Sequence, residues 1–140
     1  MKYWIIIFTP ETYKLVKSLE KIGVRNSARK RFFSAISEGD RFIAYISREM
    51  VFDGIGTIVS DAFGEETFDF SEERLFPWRR RVSFEKTGTK TSTAGLFKNI
   101  PPFNRVNTVP GNYLTCKGGF VEISKSDFEQ LTRTMKKSGD

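Results

Sequence analysis

Lys2 to Phe8 reads KYWIIIF, and this nearly continuous apolar run constrains the fold more than any other stretch. A strand with no polar face must be covered on both sides, so the chain needs layers above and below it. Thr9-Pro10-Glu11 then opens a helix, with Thr as N-cap, Pro in the first turn and an early carboxylate at the positive end of the dipole. Tyr13, Val16 and Leu19 give that helix a buried stripe, and Gly23 is the expected C-cap.

A short helix is predicted over 28–37, burying Phe32, Phe33 and Ile36. After a turn at Glu38-Gly39-Asp40, residues 41–47 alternate as a strand. Asp53-Gly54 reads as the next break, with Ile55 to Ser60 as the returning strand of a hairpin. Residues 61–74 are acidic and loop-like. Phe76 to Phe84 forms a further strand, with Phe76, Trp78, Val82 and Phe84 on one face and Pro77, Arg79 and Arg81 on the other. Residues 86–95 are polar and expected to be mobile, and 96–111 hold three prolines. Gly119 to Ile123 is a last strand. Ser124 to Asp127 resembles a capping box, with Ile123 and Phe128 as its staple and Phe128, Leu131 and Met135 as the stripe of a closing helix.

Strands outnumber helices and no regular βαβ alternation occurs, which argues against a doubly wound parallel sheet. The expected fold is α+β: one domain over 1–140, with a small, strongly curved sheet or open barrel flanked by helices.

The chain has no histidine, which removes Ser-His-Asp hydrolysis, Cys-His proteolysis and imidazole bases. A lone Cys116 excludes an intramolecular disulfide and most zinc schemes. We expect no metal and no cofactor. The longest apolar run is too short to span a membrane and lacks a signal peptide's cleavage region, so the expected location is the cytosol. A net charge of +6 and a pI near 9.5 favour a polyanionic partner. Thr87-Gly88-Thr89-Lys90-Thr91 is not a phosphate loop, because it lacks the first Gly at the required spacing and a Gly before the Lys.

Against that background, Gly23 to Arg31 (GVRNSARKR) stands out. An aliphatic, an Arg and an Asn come first, and Arg29, Lys30 and Arg31 crowd behind them. This is how a base-binding pocket with a phosphate-binding rim would be built, the other reading of these residues alone being a solvated loop and a basic helix start.

The motifs also resemble a family. Tyr3-Trp4-Ile5-Ile6-Ile7, Gly23-Val24-Arg25-Asn26-Ser27-Ala28-Arg29, Gly39-Asp40 through Tyr45 and Ser47, Gly54-Ile55-Gly56-Thr57-Ile58-Val59 and the closing Ile123 to Leu131 follow one another as in the EVE domain. That family is a PUA-like relative of the YTH readers, and Pro77-Trp78-Arg79 looks most like its small archaeal members. The resemblance implies a non-enzymatic reader that takes a single flipped, often modified base into an aromatic and polar pocket beside the loop after the first helix. Ile46 stands where many EVE members carry His, and Arg25 stands where YTH domains place a cage Trp. The modification preferred by either family therefore does not carry over.

The expected base pocket comprises Val24, Arg25, Asn26, Ser27, Tyr45, Ser47 and Trp78. The expected phosphate contacts are Arg29, Lys30, Arg31, Arg79 and Arg81. Trp4, in a fully apolar strand, is assigned to the core. The partner is nucleic acid, RNA or DNA, single-stranded or with a flipped base; oligomeric state stays open. The alternatives are an ASCH-like amidohydrolase acting on a modified nucleoside, or a structural, partner-binding domain.

Overall fold

The computed structural model describes residues 1–24, 35–64, 78–92 and 119–138. Its strands are β1 (Tyr3–Phe8), β2 (Lys21–Val24), β3 (Arg41–Ile46), β4 (Val51–Ile58), β5 (Phe63–Gly64), β6 (Trp78–Lys86), β7 (Thr91–Ser92) and β8 (Phe120–Ile123). Its helices are α1 (Pro10–Leu19) and α2 (Lys125–Ser138). The main sheet runs β2-β6-β4-β3-β1-β8, with β5 paired to β6 and β7 to β4. The sheet curls strongly into a half-barrel, accompanied among the described residues by α1 and α2, an α+β fold.

β1 sits inside this sheet, parallel to β3 and antiparallel to β8. Its alternate residues feed two cores. Trp4, Ile6 and Phe8 join Tyr13 and Val16 of α1, with Phe42, Ala44, Ile46, Ile58 and Val82, on one side. Ile5 joins Ile43, Tyr45, Phe52 and Ile55, with Phe128, Leu131 and Met135 of α2, on the other. The double-sided burial read from KYWIIIF is what the structure shows.

α1 starts as expected: Thr12 donates its N–H to Thr9 Oγ1 at 3.1 Å. It stops earlier than expected. Glu20 takes the left-handed conformation (φ 55°) and donates to the Val16 carbonyl at 2.9 Å. Gly23 is therefore not a cap but part of β2, opposite Arg79.

The hairpin also turns elsewhere. Residues 47–50 form the turn, closed by Met50 N–H on the Ile46 carbonyl at 2.9 Å, and Asp53-Gly54 lies inside β4. Gly54 is there because of a close approach: a Cβ on it would collide with the Tyr13 hydroxyl. Gly56 has the same cause, since a Cβ there would stand 2.6 Å from the Phe42 ring and 3.1 Å from the Ser83 carbonyl. Phe42 is fully buried and cannot step aside. Gly56→Ala should accordingly cost about 1–3 kcal/mol, the usual range for overpacking, measured by urea denaturation.

The polar 86–95 segment is anchored rather than mobile over its described part. Thr89 Oγ1 donates to the Phe52 carbonyl at 2.9 Å, Lys90 N–H reaches Asp53 Oδ1 at 3.3 Å, and β7 pairs with Val51 and Phe52. At the closing helix, Ser124 Oγ accepts from Asp127 N–H at 3.0 Å, as the capping box predicts. Of the helix expected over 28–37, residues 28–34 lie outside the described residues, as do Phe76, Pro77 and the segment 96–111.

Candidate nucleic-acid interface

Three strands end together at one end of the sheet. In the β2–β6 register Val24 stands opposite Trp78, and in the β5–β6 register Gly64 stands opposite the same residue. The chain therefore leaves β2 toward Arg25 and Asn26 directly beside Trp78. Trp78 is half-buried and packs on the α1-side core. The rest of the predicted loop, Arg25, Asn26, Ser27, Arg29, Lys30 and Arg31, lies outside the described residues, and Val24 is described by its backbone alone.

β6 sorts its basic residues by parity. Trp78, Arg80, Val82 and Phe84 alternate with Arg79, Arg81 and Ser83. Arg81 is exposed, stands opposite Lys21 in register, and lays its guanidinium over the Phe63 ring at 5.4 Å. Arg79 is different. It was expected to contact phosphate, but its exposure is 0 %, which withdraws it from any surface contact. In the sheet it stands opposite Gly23 of β2 and Phe63 of β5.

Sequence reasoning missed Arg80, though alternation alone puts it on the same face as Trp78. It is 3 % exposed and donates from Nη1 to the Ser60 carbonyl at 3.1 Å. Burial pulls its pKa below the usual arginine range, and the carboxylates of Asp61 and Asp40 push it back up.

Tyr45 and Ser47 do not join Trp78. Tyr45 is level with Phe52 on β4, and Val82 is level with Ile58 six positions on; Trp78 lies four residues beyond Val82. Tyr45 and Trp78 thus sit at opposite ends of the strands. Tyr45 is also 1 % exposed in the α2-side core, its ring 5.4 Å from that of Phe52. It is core, because β3 is an interior strand covered on both faces. Ser47 is half-buried at the start of the hairpin turn, donating its N–H to the Phe8 carbonyl at 2.8 Å. An ion pair between Arg48 and Glu11 ties that turn to the start of α1. At this same end burial, helped by the Asp53 carboxylate, raises the Tyr13 phenol well above the ordinary tyrosine pKa.

Trp4 is core, as expected, with its indole N–H on Asp40 Oδ2 at 3.0 Å. Among the described residues, no group of three or more His, Cys, Asp or Glu is placed to hold a metal ion, and no helix is long and apolar enough to cross a membrane.

The family model of the EVE domain matches residues 2–134, nearly the whole chain. The chain belongs to the EVE domain family. No curated protein matches it. Among solved structures, this EVE domain is similar to a YTH domain-containing protein, mmi1, in complex with RNA: TM-score 0.68, 16% identity, 96% of this chain and 80% of that one. A hypothetical protein from Leishmania major gives a TM-score of 0.69 at 18% identity, covering 100% of this chain and 98% of that one. A protein of Rhodopseudomonas palustris solved by NMR gives 0.62 at 17% identity, covering 99% and 94%. At these identities the likeness establishes a shared fold between EVE and YTH domains.

Proposed function

We propose that this EVE domain is a non-enzymatic nucleic-acid reader that accommodates one extruded, modified base against Trp78. The observation that carries the reading is the register pair Val24–Trp78, which puts the end of β2, within the GVRN motif, opposite a half-buried Trp. Extruding a base costs a few kcal/mol of unstacking. Stacking on an aromatic ring returns about 1–3 kcal/mol, and polar groups at the base edge supply discrimination. Asn26 is the group we assign to that edge, since an amide both donates and accepts; Arg25 and Ser27 flank it. The YTH neighbour whose structure holds RNA supports a nucleic-acid ligand for this fold. The net charge of +6 supports it independently.

We assign the phosphates to the basic residues of β6 and of the segment after β2. Arg81, braced on Phe63, lies on one side, and Arg29, Lys30 and Arg31 follow the pocket loop. Neutralising one phosphate-binding cation should lower the slope of log affinity against log salt by about 0.7 for a single strand. Replacing Arg29 and Arg81 together by Gln should flatten the slope by about twice that, weaken all sequences alike, and leave free-nucleoside binding unchanged. An unaltered slope would make these residues a solvated surface only. The reading as a whole is tested by titrating single-stranded RNA and DNA oligonucleotides, with and without one modified base. Tighter binding of one modified strand supports it, and salt-independent or absent binding refutes it. Incubation with N4-acetylcytidine should release no acetate, whereas turnover would favour the amidohydrolase alternative.

A further inference from the structure

Phe63 is one of the two residues of β5, and the register of that short strand decides what its ring can touch. It stands opposite Arg79, and Arg81 lies two residues further along β6 on the same face. Phe63 and Arg81 are therefore diagonal neighbours, within reach of an aromatic and a long side chain. They do meet: the Arg81 guanidinium carbon lies 5.4 Å from the Phe63 ring centroid, inside the range of a cation–π contact. The backbone of Arg81 is held as well. Its N–H donates to Ser60 Oγ at 2.8 Å, and its carbonyl accepts from Val59 N–H at 2.9 Å. Ser60 Oγ in turn donates to the Asp61 carbonyl at 2.9 Å, so the turn that fixes Arg81 leads within three residues to Phe63. The ring offers the guanidinium no oxygen, so the contact orients the cation without using its N–H donors. Arg81 stays exposed, and among the described residues no ion pair engages it.

We infer that Phe63 is a positioning residue, which holds the Arg81 guanidinium ready to grip one phosphate of a nucleic-acid backbone through two N–H donors at once. The inference rests on the reading of Arg81 as a phosphate contact, and it names the group that makes that contact effective. An arginine loose on a surface gives up rotamer freedom when it binds, and one already held gives up less. Paired N–H···O bonds gain most from this, because both depend on the angle of the planar fork. An exposed cation–π contact is weak by itself, so its effect falls on the affinity for phosphate more than on the stability of the fold. It acts on the backbone and on no base, so it serves every sequence alike.

The test uses fluorescein-labelled decauridylate, a single strand without a modified base, so that binding reports the phosphates apart from the base pocket. Affinities are measured over a series of NaCl concentrations for the wild-type protein, Phe63→Ala, Phe63→Leu, Phe63→Tyr, Arg81→Gln and the double variant of Phe63→Ala with Arg81→Gln. Arg81→Gln should lower the slope of log affinity against log salt by about 0.7. Phe63→Ala should weaken binding about two- to tenfold per folded molecule and leave the slope unchanged, because the charge remains and only its hold is lost. Phe63→Tyr should bind as the wild type does. Phe63→Leu, which keeps bulk without a ring, should bind as weakly as Phe63→Ala. In the Arg81→Gln background Phe63→Ala should add no further loss. A merely structural Phe63 would alter stability in these variants and leave affinity per folded molecule unmoved, which overturns the brace. An equal loss from Phe63→Ala with and without Arg81, or full affinity in Phe63→Leu, overturns it too. Should Phe63→Ala fail to fold, Phe63→Leu and Phe63→Tyr decide between ring and bulk. An unchanged slope in Arg81→Gln, or no binding of decauridylate by the wild type, overturns the phosphate reading of Arg81 and the brace with it.

Discussion

Replacing Asp40 by Ala should destabilise the protein by about 3–5 kcal/mol, seen as a lower urea midpoint with an unchanged slope. The Asp40 carboxylate is 2 % exposed and accepts three hydrogen bonds: Lys2 N–H at 2.9 Å, Trp4 Nε1–H at 3.0 Å and Ser37 N–H at 2.9 Å. These donors belong to the start of β1 and to the segment that leads into β3. The single side chain therefore ties the parallel β1–β3 pair at the end where both strands begin. Removing it strands donors in a buried setting, and each unsatisfied donor costs about 1–3 kcal/mol. Asp40→Asn keeps one acceptor oxygen and should lose less. If Asp40→Ala cost under 1 kcal/mol, this junction would not be the tie described.

Trp78→Ala should weaken binding of a base-containing ligand by about 1–3 kcal/mol, roughly 5- to 150-fold. The same change should cost less stability than the 3–5 kcal/mol typical of a wholly buried Trp, because Trp78 is only half-buried. Trp78→Phe keeps a stacking surface and should recover part of the affinity. Affinity per folded molecule is the quantity to compare, since Trp78 also packs on the α1-side core. Large destabilisation with unchanged affinity would reduce Trp78 to a core residue.

The sequence revealed β1, the start of α1 and the capped closing helix because local chemistry and tertiary packing agree there. They disagree at Asp53-Gly54. That dipeptide is a strong turn signal, yet Gly54 is required by the Tyr13 hydroxyl pressed against β4, a contact no local pattern contains. β2 escaped notice because four residues with a central Gly give too little alternation, and Ile22 also fits an extended helix. Val24 and Trp78 were expected at one site, and the register brings them together. Tyr45 was assigned to the same site from its position near a strand end. Its strand proves interior, with both faces covered. Arg79 failed for a related reason: alternation says which face a residue takes, not whether that face meets water, and Arg79 is fully buried.

The central claim is that a base stacks on Trp78. The two indole N–H signals of the 15N-labelled protein test it most directly, because the chain has only Trp4 and Trp78. Trp4 is locked on Asp40 in the core and serves as the internal control. On titration with single-stranded oligonucleotides carrying one modified base, the Trp78 signal should shift saturably while Trp4 stays unmoved. Saturable binding that leaves the Trp78 indole where it was would contradict the claim.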